Sequence, residues 1–195
     1  MLTRKSEIKR KTKETEIVLS LYLDGERNIN INTGIGFFDH MLNLMAFHAG
    51  FDMELNCSGD LYVDGHHMVE DTGIVFGKAF KEALGDKIGI NRYSNIYTPM
   101  DEALTMVSLD ISGRSFLHFN VPLKREKIGD FETELLEEFF RAFSYNAEIT
   151  LHLNLIYGVN EHHITESVFK GLGRALKEAS KIDKEGNLPS TKGIL

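Results

Sequence analysis

Two adjacent histidine pairs, His66-His67 and His162-His163, are the residues of this sequence best suited to chemistry, and each is followed at the same spacing by a glutamate, Glu70 and Glu166. On a helix, positions three and four apart share a face, so each glutamate can lie beside both histidines of its pair. The two rings of a pair point roughly 100° apart at ~3.6 residues per turn, so one pair can serve two metal ions. Helix capping or a solvated surface accounts for a single pair. Neither accounts for a glutamate that recurs at the same place after the second. Two further histidines join the set. His40 lies in GIGFFDHM near the start of a helical pattern, and His152 alternates with Leu151, Leu153 and Leu155, so it points to the opposite face of its strand. Together these eight residues offer three histidines and one glutamate to each of two ions. Nitrogen and oxygen donors without thiolate suit Mn²⁺, Fe²⁺, Co²⁺ or Zn²⁺, and six-coordinate sites with open positions lean toward Mn²⁺ or Fe²⁺. Peptide hydrolysis loses ground, because H-E-x-x-H is absent and His67-x-x-Glu70 is followed by Asp71 instead of histidine. His48 and His118 read as packing or surface residues.

Something must position these groups twice over, and the sequence repeats itself to do so. Slid by 96 residues, His66–Leu84 falls on His162–Ser180, with His66, His67, Glu70, Gly77, Ala79, Lys81, Glu82 and Ala83 each meeting an identical residue. The helical pattern Phe37–Gly50 falls on Thr133–Asn146, and the alternating Met53–Cys57 falls on Ile149–Leu153. Glu16–Leu23, stopped by Asp24-Gly25 and followed by Ile29–Ile31, reads as a hairpin. Leu104–Ile111, Ser112-Gly113-Arg114 and Phe116–Val121 read as its counterpart. The expected unit is therefore strand, strand, helix, strand, helix. Val168, Leu172, Ala175, Leu176 and Ala179 form one apolar stripe on the last helix, which needs a cover. Two such α+β modules bury most by packing helices on helices, giving a four-layer sandwich of two sheets enclosing the helices. The expected organisation is one domain, 1–195, with repeats at about 14–90 and 100–182. Met1–Lys13 and the segment 183–195 read as tails, although Pro189-Ser190-Thr191-Lys192-Gly193 is too specifically built to be slack.

Composition sets the outer bounds. The 195 residues are 42% hydrophobic and 26% charged, within the globular range. A net charge of −7 without a basic stripe argues against nucleic acid. The lone Cys57 excludes an intrachain disulfide and a multi-thiolate zinc site, reads as a small buried side chain, and fits a reducing cytoplasm. No apolar run is long enough to span a membrane, and the polar N-terminus carries no export signal.

GIGFFDHML, HHMVEDTGI, EHHITES, GINRYSNIYTPMDEAL, LDISGR, LHLNLIYG and the terminal PSTKG, running in order from about Arg10 to Lys192, resemble the imidazoleglycerol-phosphate dehydratase family in its single-function form. The resemblance implies a dimanganese lyase of histidine biosynthesis that removes water from imidazole glycerol phosphate to give imidazole acetol phosphate. It implies a homo-oligomer, a 24-subunit shell in the family, with active sites shared between subunits. It places metal ligands on His40, His66, His67, Glu70, His152, His162, His163 and Glu166. It places a substrate-contacting glutamate on Glu14, within Lys11-Thr12-Lys13-Glu14, and substrate or phosphate contacts on Arg92, Arg114, Ser190, Thr191 and Lys192. Arginine offers phosphate a planar fork and lysine a point charge, so these types fit that role. The terminal turn, with few apolar anchors, is expected to order when phosphate binds.

The hydrogen to be removed sits beside a hydroxyl, so no carbonyl is available to stabilise a carbanion. If the substrate ring lies between two cations, an imidazolate can expel the neighbouring hydroxyl through a diazafulvene-like intermediate. Glu14 is the candidate acid/base, with Asp101 or Glu102 in PMDEAL as the fallback. Two rivals remain at this stage: a dinuclear hydrolase of small phosphate esters, and a storage or structural oligomer whose metal clusters only join subunits.

Overall fold

The structure, a computed structural model, describes residues 4–182 and 186–193. The first repeat runs β1 (Lys5–Lys11), β2 (Thr15–Tyr22), β3 (Ile29–Asn32), α1 (Gly36–Ala49), β4 (Asp52–Gly59) and α2 (His66–Leu84). The second runs β5 (Tyr93–Met100), β6 (Ala103–Asp110), β7 (Phe116–Asn120), a small hairpin of β8 (Lys127–Ile128) and β9 (Phe131–Glu132), then α3 (Leu135–Ala147), β10 (Thr150–Tyr157) and α4 (Glu161–Ser180). The sheets have equivalent orders, β1-β2-β4-β3 and β5-β6-β10-β7. Helix α2 packs on β1 and β2, α4 on β5 and β6, and the helical layers meet as α2 on α3 and α1 on α4. The duplicated α+β sandwich is thus the observed architecture.

The strands that carry this packing alternate strictly. Ile17, Leu19 and Leu21 of β2, and Val107 and Leu109 of β6, are buried while their neighbours are only partly so. Between the helical layers lies an aromatic seam in which Phe76 stacks on Phe143 at 4.7 Å and Phe139 meets both Phe38 and Phe169. Each such buried ring contributes about 1.5–3 kcal/mol, so the seam joining the repeats is itself core and not a loose contact between two domains.

Three expectations need correction. The N-terminal segment is not a tail throughout: Lys5–Lys11 forms the edge strand β1, antiparallel to β2. Only Ser6 on it is buried, so it carries no apolar alternation to be read. Each repeat consequently opens one strand earlier than the pattern indicates, with β1 and β5. Nor do β2 and β3 form a hairpin. β4 lies between them, antiparallel to β2 and parallel to β3, and β10 separates β6 from β7 in the same way. Asp24-Gly25 instead starts a crossing over the end of β4, where Asp52 Oδ1 accepts from the backbone of Glu26 and Asn28 at 2.7 and 2.8 Å. The parallel pair then requires a crossover, which α1 supplies.

All four helices point the same way. Along α1 and α4 the chain meets at His40–Glu166, Met45–Gly173 and Gly50–Lys177 in turn. Along α2 and α3, Gly65 faces Leu135, Gly73 faces Phe139 and Ala142, and Gly77 faces Phe143 and Asn146. Gly65 also faces Ile35, just before α1. Both histidine motifs therefore open at one end of the helical layers.

Candidate metal centre

Each histidine pair begins its helix behind an Asx residue that accepts from the backbone two positions on. Asp64 Oδ1 takes the N–H of His66 at 2.8 Å, and Asn160 Oδ1 takes that of His162 at 3.0 Å. This fixes where the helix starts and hence where the rings emerge. Within each pair the rings stand nearly perpendicular, 89° for His66 and His67 and 81° for His162 and His163. The two rings of a pair face different partners.

The first ring of each pair faces its glutamate. His162 Nε2 is 3.2 Å from Glu166 Oε2, and His40 Nε2, arriving from α1, is 3.8 Å from the same oxygen. The ligand atoms of His40, His162 and Glu166 all lie within 4.8 Å of one another. Around a shared first-row ion with bonds of about 2.1 Å, adjacent ligand atoms sit ~3 Å apart. These spacings and the nitrogen–oxygen donor set fit a divalent cation. Glu166 is held for that position by Lys170, whose Nζ reaches its other oxygen at 2.5 Å. Burial pushes the Glu166 carboxyl up, but the Lys170 ammonium, followed by His162, outweighs it and the net shift is downward.

At α2 the corresponding pair is His66 and Glu70, 4.0 Å apart. The repeat offset that relates His66 to His162 puts Leu136 where His40 would stand, and Leu136 is buried in the core. This cluster therefore lacks a third ligand from its partner helix.

The second ring of each pair faces a carboxylate at both nitrogens. His67 Nδ1 is 3.0 Å from Asp60 Oδ2 and its Nε2 is 3.9 Å from Glu14 Oε1. His163 Nδ1 is 2.7 Å from Glu102 Oε2 and its Nε2 is 3.8 Å from Asp101 Oδ2. The Asp60 bond, aided by Glu14, raises the pKa of His67; the Glu102 bond, aided by Asp101, raises that of His163. Glu14 and Asp101 come from equivalent places, the β1–β2 and β5–β6 turns. The Glu14 turn is well anchored: Thr12 Oγ1 accepts from the backbone of Glu14 and Thr15, and buried Asp71 on α2 accepts from Thr15 Oγ1 and from Arg10 Nε. Glu102 is fully engaged. Its Oε1 accepts from Val159 and Asn160 N–H, and with the His163 bond as the largest cause its carboxyl is pulled down to about 2.

His152 stands apart from both clusters. On β10 it faces away from buried Leu151 and Leu153, hence away from the helices, and lies beside His118 and Phe116 at ring separations of 5.5 and 5.7 Å. Burial, then the His118 charge, lowers its pKa. The structure does not bring His152 to either cluster. The basic residues divide. Arg92 sits at a positive φ of 73° with its guanidinium on Asp110, at 2.7 and 3.2 Å, and on the Pro189 carbonyl at 2.9 Å. It thereby pins the terminal turn, in which Ser190 Oγ accepts from the Lys192 N–H. Exposed Arg114, Thr191 and Lys192, by contrast, engage no carboxylate among the described residues. Residues 1–3, 183–185 and 194–195 of the expected tails lie outside the described residues.

Sequence reasoning missed Asp60 and the anchoring role of Asp71. Asp60 has no repeat counterpart, since the offset lands on Ile156, and so carried no internal signal.

A family model for imidazoleglycerol-phosphate dehydratase matches residues 33–176. The chain belongs to the imidazoleglycerol-phosphate dehydratase family. A protein of that name from Oceanobacillus iheyensis is 57% identical over 193 residues, 98% of this chain and 100% of the relative, and one from a Thermoanaerobacter species is 61% identical with the same coverage. Among solved structures, imidazoleglycerol-phosphate dehydratase from Staphylococcus aureus superposes with a TM-score of 0.82 at 43% identity, covering 92% of this chain and 98% of that one. The Pyrococcus furiosus structure gives 0.84 at 38% identity, covering 96% and 100%. Family membership thus extends over both repeats and both histidine motifs.

Proposed function

We propose that this protein dehydrates imidazole glycerol phosphate to imidazole acetol phosphate in histidine biosynthesis, with two Mn²⁺ ions per active site. The observation that carries the reading is the convergence of His40, His162 and Glu166 from two helices of different repeats, in a chain of this family. His66, His67, Glu70, His152 and His163 complete the ligand set. Divalent cations held there would lower the pKa of a substrate imidazole and draw charge into its ring.

The protein's own side chains then have separable tasks. The reaction breaks one C–H bond and the C–O bond on the ring-bearing carbon; the released electron pair becomes the C=C of an enol, water departs, and the enol turns to the ketone. Glu14, exposed on its turn and facing the His67 ring, moves the proton. Its carboxyl can give a proton to the departing hydroxyl, and the resulting carboxylate then takes the proton from the neighbouring carbon, which restores it. Asp101 holds the equivalent position over His163. Glu102 does not share this role, because both its oxygens are committed. Arg114, Ser190, Thr191 and Lys192 receive the phosphate, and Arg92 holds the terminal turn through the Pro189 carbonyl.

Active sites are completed between copies of the chain. Among the described residues the His66–Glu70 cluster shows no third ligand, while His152 faces outward on a sheet whose exposed face also carries Phe116. Each surplus answers the other's deficit, which supports a symmetric homo-oligomer, the 24-subunit shell that the resemblance implies. Among the described residues no helix is long and apolar enough to cross a membrane, and we place the reaction in the cytoplasm. The deciding experiment incubates Mn²⁺-loaded protein with imidazole glycerol phosphate and follows the ketone through its enol absorbance in alkali. Ketone with phosphate still attached supports the reading. Release of inorganic phosphate, or no product at full metal occupancy, overturns it.

A further inference from the structure

We propose that Asp60 and Glu102 are positioning residues that clamp Nδ1 of His67 and His163, so that each ring presents Nε2 alone to a metal ion. The inference rests on the two-metal reading and deepens it. Four distances carry it. Each clamp makes a hydrogen bond to Nδ1, at 3.0 Å for Asp60 and 2.7 Å for Glu102, while Nε2 of the same ring faces a second, looser carboxylate at 3.9 or 3.8 Å. The arrangement occurs twice, although the two clamps reach their rings from unrelated places. Asp60 follows β4 in the loop before α2, whereas Glu102 sits in the β5–β6 turn. Different origins serving one geometry point to the geometry as the thing required.

Both clamps are themselves fixed. Glu102 Oε1 accepts from the N–H groups of Val159 and Asn160, the residues that lead into α4, so the clamp and the start of the clamped helix move together. Asp60 is tied through its own N–H to the Glu14 carbonyl at 3.2 Å, and its carbonyl accepts from Val63 N–H at 2.8 Å. One loop thus connects the His67 clamp to the turn that carries Glu14. A carboxylate on Nδ1–H selects the tautomer with a free lone pair on Nε2, stops the ring from turning over and makes it a stronger donor.

The test reads metal binding, not turnover. Mn²⁺ is titrated into metal-free wild type, Asp60→Ala, Asp60→Asn, Glu102→Ala and Glu102→Gln, and free Mn²⁺ is followed by electron paramagnetic resonance, with a thermal melt of each metal-free protein alongside. We expect each alanine variant to weaken Mn²⁺ binding by about 10- to 100-fold, and the amide variants, which keep an oxygen acceptor for Nδ1–H, to recover part of the loss. Unchanged Mn²⁺ affinity in both alanine variants, or lowered melting with unaltered affinity, overturns the clamp while leaving the two-metal reading in place. Wild type that binds no Mn²⁺ overturns the underlying reading.

Discussion

Gly173 of α4 lies against the carbonyl of Met45 on α1 so closely that an added Cβ would sit 2.3 Å from the Met45 oxygen and 3.1 Å from the Ala49 nitrogen. The repeat-related Gly77 stands in the same relation to Phe143 on α3, at 2.6 Å from its oxygen. Neither contact can be relieved by a side-chain rotation, because backbone meets backbone. The absence of a Cβ at these two positions sets the spacing of both helix pairs.

Replacing Gly173 with alanine should therefore push α1 and α4 apart, and with them His40 from His162 and Glu166. Overpacking of this kind costs about 1–3 kcal/mol. The expected outcome is a lower unfolding midpoint in denaturant together with weaker Mn²⁺ binding. A variant that melts earlier yet binds Mn²⁺ like the wild type would show that the cluster does not depend on this seam.

The 96-residue offset matched Gly77 to Gly173 before any coordinates, although the close backbone contacts they make are visible only in the structure. Gly77 and Gly173, the two His-His-x-x-Glu motifs and all four helices lie in the matched stretches. What could not be read had a common physical origin in long-range pairing. The sequence KSEIKRK fills the outward positions of β1 with charge, and its inward side under α2 holds Ser6, Ile8 and Arg10, so a single apolar residue leaves no alternation to read. The insertion of β4 between β2 and β3 is decided by the α1 crossover and not by the Asp24-Gly25 turn. His152 shows the same limit at the site. Its alternation with leucines gave the correct face of the strand, but that face looks away from the rest of the chain, and alternation is silent about a second copy.

Asp130 offers a stability test with a defined pH dependence. From the β8–β9 turn it accepts from the backbone N–H of Gly36 and Phe37, at 2.7 and 3.1 Å, and so ties the second repeat to the start of α1. Burial pushes its carboxyl up, but these N–H bonds outweigh burial and the net shift is downward. A lowered folded-state pKa stabilises above the unfolded value, about 3.9 for aspartate, and the gain is lost as pH falls through the folded value. Asp130→Ala should cost about 1 kcal/mol at neutral pH, the usual worth of a helix cap. The gap from wild type should narrow below pH 4 in urea unfolding. A gap that stays constant into acid would mean that the carboxylate charge plays no part.

The terminal turn predicts a split between binding and turnover. Arg114 and Lys192 are exposed and engage no carboxylate among the described residues, whereas Arg92 is already bonded to Asp110 and Pro189. Arg114→Ala and Lys192→Ala should each raise KM for the phosphate substrate by roughly tenfold or more, with a smaller change in kcat, since a charge-assisted phosphate contact contributes about 1.5–3 kcal/mol. Steady-state kinetics at fixed ionic strength decides this. An unchanged KM in both variants would place the phosphate elsewhere.

Glu14 is where chemistry and metal binding can be separated. Its backbone is fixed by Thr12, by the N–H of Asp60 and by the Asp71–Thr15 bond beside it. Its carboxylate nevertheless stays exposed, 3.9 Å from Nε2 of the His67 ring, whose Nδ1 already hydrogen-bonds the Asp60 carboxylate. Glu14→Gln keeps the shape and removes the ability to accept a proton. The expected result is a fall in kcat of about 10²- to 10⁴-fold, the usual contribution of a positioned acid/base, with Mn²⁺ content equal to wild type by elemental analysis. His40→Ala should do the reverse in order, losing Mn²⁺ first and activity as a consequence. If Glu14→Gln turned over normally at full Mn²⁺ occupancy, proton transfer would pass to Asp101, which occupies the equivalent turn over His163.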